Sequence, residues 1–228
     1  MTTQEIKDLK SLIDNMNMQE LLEYLSNTPG HYSDYSSLYN YSQGDYSKKK
    51  AVFEKLYDHF NINFVNKSVL DLGPGTGESL DVAKNRGAVK MEFIDRDILI
   101  FRYNELKGYN GCLFDYTTPS VNQYNTKHDI IISKGAFNSS LLNEHRHILL
   151  FKDVINWIES IAKELIIIIP TFKRTENGYV CENYEEFMKS EFSEELFSRN
   201  FKTDFIDGCN NVKTFPVTFY KNIVNESL

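Results

Sequence analysis

The stretch Val69-Leu70-Asp71-Leu72-Gly73-Pro74-Gly75-Thr76-Gly77-Glu78-Ser79 constrains the fold more than any other part of the chain. A short apolar run carries an acid near its end. It then breaks into glycines at alternate positions and continues into a helix-like segment. This pattern predicts a buried strand, a tight turn and a helix N-terminus. With no side chains at Gly73, Gly75 and Gly77, a ligand can lie against the backbone. A dinucleotide fingerprint counted from Gly73 needs its third glycine where Glu78 stands. A P-loop needs a lysine and a hydroxyl residue after its last glycine, and Gly77 is followed by Glu78-Ser79. Phosphates also favour a helix N-terminus free of nearby acids. Asp71, in a chain of net charge −7, suits a cation better. A plain glycine-rich strand-to-helix turn is the remaining reading.

From residue 68 onward strand and helix alternate. Strands are expected at about 68–72, 89–95, 111–114, 129–133 and 165–170. Helices are expected from about Thr76 to Gly87, over 97–106 and over 145–162. The four consecutive isoleucines Ile166, Ile167, Ile168 and Ile169 predict a strand buried on both faces. Alternation of this kind predicts a mostly parallel sheet with helices on both sides. A helix is expected over 182–199, then strand-like runs at 202–206 and 217–220. The link between those runs is too short for a helical crossover, so they should pair antiparallel. Pro216 cannot donate to a ladder, so the last strand should become regular after it, or bulge there.

Ahead of this region, residues 4–26 carry apolar positions at helical spacing, and Pro29-Gly30 ends that pattern. Residues 31–46 hold five of the fourteen tyrosines among Ser, Asp, Asn and Gly. They read as a loop or broken helix and as a candidate lid. A tyrosine offers an apolar face and a hydroxyl to a cation and a polar acceptor. Residues 47–60 read as a further helix.

The glycine motif resembles the first motif of the class I S-adenosylmethionine (SAM)-dependent methyltransferases. Asp71, Gly73, Gly75 and Gly77 match it at every defined position. The resemblance covers about residues 67–222. It implies a Rossmann-like α/β fold, with a seven-stranded mostly parallel sheet and a reversed last strand. Residues 1–66 would add an N-terminal helical cap and lid segment to a SAM-binding domain at 67–228. SAM is the implied cofactor. Asp95 follows Gly75 by twenty residues and ends the second strand, where a carboxylate can accept both hydroxyls of a ribose. The family uses an acid there in that way. Asp97 is the better candidate for capping the next helix. The resemblance further implies that Asp115 accepts from the adenine amino group and that the backbone amide of Tyr116 reaches a ring nitrogen. Phe114 or Tyr116 would cover the ring face.

The family's fourth motif falls at 133–138, with Ser133 as the cofactor-side candidate. The Pro-Pro-aromatic run of adenine and glutamine amino-methyltransferases is missing there, so an oxygen acceptor is favoured. Asp129 opens the fourth strand, at the wrong end for a metal, so no required metal is expected. Transfer to a high-pKa oxygen needs a base, and His145 is the candidate, at the start of the helix after the strand-4 loop. His128 should lie away from the crevice, and His59 should be at the surface. Lys173 and Arg174 can attract an anionic acceptor.

Composition narrows the class. Hydrophobic content of 41% supports a sizeable core. No apolar run approaches the roughly 20 residues of a membrane span. The three scattered cysteines show no metal-ligand spacing and read as reduced thiols. The N-terminus has neither the basic region nor the apolar core of a secretory signal. Together these predict a cytoplasmic protein. The acidic balance disfavours nucleic acid. The expected partner is a small-molecule or sugar acceptor, with O-methylation favoured. A SAM-binding regulatory or scaffolding protein without catalysis is the competing class.

Overall fold

The computed structural model of the chain describes residues 3–27, 46–116, 124–138, 145–171, 174–175, 178–179, 189, 191–205 and 217–223. Two short helices come first, α1 (Thr3–Ile13) and α2 (Met18–Asn27). They are separated by a box at Asn17 and Glu20, each side chain accepting from the other's backbone N–H at 3.0 and 2.8 Å. Helix α3 (Tyr46–His59) follows.

Strand β1 (Ser68–Leu72) leads through the glycine loop into α4 (Glu78–Asn85). Then come β2 (Lys90–Asp95), α5 (Ile98–Leu106), β3 (Asn110–Leu113), β4 (His128–Asn138), α6 (His145–Ile161) and β5 (Ala162–Thr171). A small hairpin pairs β6 (Arg174–Thr175) with β7 (Gly178–Tyr179). Helix α7 (Glu191–Ser198) and strands β8 (Lys202–Phe205) and β9 (Val217–Asn222) complete the described elements.

The main sheet has seven strands in the order β3-β2-β1-β4-β5-β9-β8. Pairs among β1 to β5 are parallel, and β9 runs antiparallel to both neighbours. This is the Rossmann-like arrangement with a reversed last strand. Strand β9 begins at Val217, the first residue past Pro216, and Pro216 itself lies outside the described residues. Ile166 and Ile168 pack on the α6 side, while Ile167 and Ile169 pack on the α3–α4 side. The isoleucine run is therefore buried on both faces, as its composition requires.

Some boundaries differ from the sequence-based expectation. Helix α4 starts at Glu78 rather than Thr76, because Gly77 N–H donates to Pro74 O and keeps Thr76 in the turn. Strand β4 runs past Ser133 to Asn138, and β5 runs on to Thr171, where Asn138 pairs with Thr171 after a register shift. The paired backbone of β5 extends what the apolar pattern alone ended at residue 133. Of the helix expected over 182–199, the described part is α7, and residues 181–188 lie outside the described residues.

Helix α3 belongs to the sheet core through Phe53, Leu56 and Tyr57. Helices α1 and α2 pack elsewhere: Ile13, Leu21 and Leu25 bury against Ile98, Leu99 and Tyr103 of α5. Arg102 secures that junction. Its guanidinium donates to Ile13 O, Asp14 O and Met16 O at 3.2, 2.8 and 3.1 Å, satisfying carbonyls at the end of α1. Arg102→Ala is expected to destabilise the protein by about 2 kcal/mol. Hydrogen exchange over residues 3–27 should accelerate far more than exchange in the sheet.

Candidate functional site

The parallel strands carry their C-terminal ends to one edge, and two acids stand there side by side. Asp71 is the penultimate residue of β1 and pairs in register with Phe93. Asp95 ends β2 two residues after Phe93, so both acids face the α3–α4 side of the sheet. Asp71 is 2% exposed and Asp95 7% exposed. Ser79 of α4 donates its hydroxyl to the Asp71 carboxylate. Burial pushes the Asp71 carboxyl up to about 7; Ser79 and Lys134 oppose the rise, and Glu78 adds to it. Burial likewise pushes Asp95 up to about 7. The Asp97 amide, donating at 2.8 Å, and the Arg96 charge pull Asp95 down, while Asp97 and Asp71 push it up. Two carboxylates are thus held where ionisation is costly, near a loop with glycine at alternate positions.

Between β1 and α4 the three glycines adopt left-handed φ values of +74°, +56° and +76° at 73, 75 and 77. Gly73 N–H donates to Ile94 O at 2.9 Å, and Gly77 N–H donates to Pro74 O at 2.9 Å. A Cβ on Gly75 would meet nothing within 4 Å. That open space lies on the loop the ligand is expected to approach. Gly77 is different: its Cβ would come within 2.4 Å of Asn104 Oδ1. One glycine leaves room, and the other permits close packing against α5.

Asp97 caps α5, accepting from Leu99 N–H at 2.9 Å and Ile100 N–H at 3.3 Å. Asp95 is therefore not the cap. Asp115 lies beyond the end of β3 and forms an ion pair with Arg96 at 3.4 Å, bridging the ends of β2 and β3. The Tyr116 ring is buried and stacks on Trp157, with centroids 6.4 Å apart and planes 15° apart. Phe114 also packs against Trp157 and against Tyr124. Both aromatic rings are thus engaged with the α6 side. The Tyr116 hydroxyl stands in the field of Asp95, Arg96, Asp115 and Asp71. Ser133 aligns with Leu72, is buried, and donates its hydroxyl to Leu72 O at 3.4 Å.

His145 opens α6, but its side chain lies outside the described residues, as do the tyrosine-rich residues 31–45 and Lys173. His128 opens β4 at the opposite end of the sheet, fully buried. Its Nε2 lies 2.7 Å from Tyr124 Oη and 3.1 Å from Glu92, and burial lowers its pKa to about 4. His59 is partly exposed and pairs with Asp204 at 2.7 Å.

Sequence reasoning missed a second ring of residues around the loop. Lys134, next after Ser133, lies over the Phe53 ring at 5.2 Å and contributes positive potential at Asp71. Asn104 Nδ2 donates to Gly75 O at 2.9 Å, and Lys107 Nζ donates to Thr76 O at 2.7 Å. Asn104 and Lys107 stand three apart at the end of α5, on one helix face. That spacing was visible in the sequence, but its target was not.

Comparison with family models and with curated proteins gives no match. Solved structures share the fold. A SAM-dependent methyltransferase from Clostridium acetobutylicum superposes with a TM-score of 0.52 at 14% identity, covering 84% of this chain and 98% of that one. DesVI from Streptomyces venezuelae gives 0.55 at 11% identity, with 86% and 99% covered. SAM-bound CalS10, an amino pentose methyltransferase of calicheamicin biosynthesis from Micromonospora echinaspora, gives 0.52 at 9% identity, also with 86% and 99% covered. At these identities the likeness establishes the fold: the chain is built on the Rossmann-like architecture of SAM-dependent methyltransferases. Among the described residues, no helix is long and apolar enough to cross a membrane.

Proposed function

We propose that the chain is a SAM-dependent methyltransferase acting on a small-molecule or sugar acceptor, with oxygen as the favoured nucleophile. One observation carries the reading: a left-handed glycine loop with open space at Gly75 lies beside two buried carboxylates on a methyltransferase fold. The residues fit a cationic cofactor. A sulfonium and an ammonium add positive charge near Asp71 and Asp95, whose burial Lys134 and Arg96 offset only in part, and Gly75 leaves the backbone bare. In this reading Gly73, Gly75 and Gly77 accommodate the methionine portion, Asp95 accepts from the ribose, and Asp115 with the Tyr116 amide takes the adenine. Ser133 lines the base of the crevice. The bound cofactor supplies a methyl group already activated towards displacement. The chain's own work is positional: it holds two reactants in line and keeps water out. His145 is our candidate for taking the acceptor's proton, from the helix that follows the β4 edge. The amino pentose named for CalS10 makes a sugar acceptor a reasonable first class to screen. A cytoplasmic setting suits the free thiol of Cys112.

The test is calorimetry with SAM and its demethylated product S-adenosylhomocysteine (SAH), followed by a tritiated-methyl screen against metabolite and glycan pools. Binding at about micromolar Kd with transfer to an acceptor is expected. Heat from NAD or ATP and none from SAM or SAH would overturn the reading. Asp95→Ala should weaken SAM by about 1.5–3 kcal/mol, the scale of a hydrogen bond to a charged group. Unchanged affinity in a folded Asp95→Ala protein would remove that residue from the site.

A further inference from the structure

We infer that Asn104 and Lys107 of the α5 end are positioning residues, which hold the glycine loop in its cofactor-accepting shape from outside the site. The inference rests on the SAM-binding reading above. It is carried by the accounting of the loop's carbonyls. The glycine loop is intrinsically costly to order, because glycine loses the most backbone freedom on fixing. Its own hydrogen bonds engage Gly73 N–H and Gly77 N–H. The consecutive carbonyls of Gly75 and Thr76 are taken instead by α5, through Asn104 Nδ2 at 2.9 Å and Lys107 Nζ at 2.7 Å. A peptide unit is planar and trans, so fixing the Gly75 carbonyl on Asn104 also points Thr76 N–H away from α5.

Lys107 is itself held tightly. Asp81, in the first turn of α4, accepts from Nζ at 2.6 Å. The rings of Tyr46, Tyr109 and Tyr103 lie 5.2, 5.6 and 5.8 Å from that nitrogen. The hydroxyls of Tyr46 and Tyr109 donate to the same Asp81 carboxylate. A lysine surrounded by three rings and anchored to a carboxylate has little rotamer freedom left.

Asn104 is the more telling residue. It is fully buried, and its Oδ1 has no hydrogen-bond partner among the described residues. The amide orientation is set by its other half, which donates both to Gly75 O and to Ile100 O at 3.0 Å. A buried acceptor without a partner costs stability, and an apolar side chain of the same branched shape, such as leucine, would remove that cost. Stability alone therefore does not account for an asparagine here, whereas holding the Gly75 carbonyl does.

The experiment separates positioning from folding. SAH affinity is measured by calorimetry for wild type, Asn104→Leu and Lys107→Met, at a temperature well below each melting point. Asn104→Leu is expected to melt at or above the wild-type temperature yet bind SAH about tenfold more weakly, through lost preorganisation. Lys107→Met is expected to melt lower and to bind about tenfold more weakly while still fully folded. If Asn104→Leu does not fold, Asn104→Ser replaces it, since its hydroxyl cannot span to Gly75 O. Folded variants that bind SAH as tightly as wild type would overturn the inference. A wild-type protein that binds neither SAM nor SAH would instead overturn the cofactor reading on which it rests.

Discussion

Gly75→Val is expected to abolish cofactor binding in a protein that still folds. The position has φ +56° and nothing within 4 Å of where a Cβ would stand. The free protein therefore has room for the side chain and carries only the backbone penalty. For a left-handed residue that is about 1–2 kcal/mol, or about 2–8 °C in Tm for a chain of this size. On the proposed SAM-binding reading, the same methyl groups would fill the space that the cofactor's methionine portion needs. SAM affinity should fall by about a hundredfold or more, since overlapping volume cannot be relieved by a rotamer change in a β-branched side chain. Gly87→Ala is the control. It also has a left-handed φ of +96°, but it lies at the far end of α4, where a Cβ would make ordinary contact with Val65 at 3.4 Å. It should lose comparable stability and bind SAM as wild type does. Equal SAM affinity in folded Gly75→Val would remove the loop from the cofactor site.

The contrast between Gly75 and Gly77 shows what could be read from the chain and what could not. Alternating glycines after Asp71 announced a strand and a tight left-handed turn into a helix, because only glycine meets those backbone demands cheaply. The Asp97 cap was legible for a similar reason: a helix start leaves backbone N–H groups to satisfy. The isoleucine run likewise carried the burial of β5 on both faces. The role of Asn104 did not show, because its partner, the Gly75 carbonyl, is a backbone atom brought near by packing α5 on the loop. Nothing in the local pattern of α5 marks that residue. The stacking of Tyr116 on Trp157 of α6 did not show either, because it joins residues far apart in the chain through a large flat face. Periodicity reports which face is apolar, and contacts between distant elements decide which atoms meet.

SAM binding is expected to tighten as pH rises from about 5.5 to 7.5, with release of about one proton or more per cofactor near pH 6. The Asp71 and Asp95 carboxyls stand near 7 in the free fold against an ordinary 3.8. Between those values the folded chain holds protons that the unfolded chain has released. Their contribution to stability is therefore greatest below about pH 4 and falls as pH rises through 7. A cationic cofactor reverses the local balance, because it favours the ionised carboxylates and expels those protons. The groups facing the pair are Glu78, Asp97, Lys134 and Arg96, together with the buried hydroxyls of Tyr57 and Tyr116. His128 titrates in the opposite sense. Its value is lowered from 6.5 to about 4, so its stability contribution is lost as pH falls through that window. It lies at the other end of the sheet, acts alike on free and loaded protein, and cancels from the difference between them. The cofactor's own amine begins to lose its charge near pH 7.7, which sets the upper limit of the rise. Two measurements test this. The SAM-induced increase in Tm should grow across the range, and calorimetric heats at pH 6 should vary with the ionisation enthalpy of the buffer. Asp95→Asn should reduce the proton release while keeping an oxygen for the ribose. Heats that do not depend on the buffer, with a Kd flat across the range, would show that these carboxyls stay as they are when the cofactor binds.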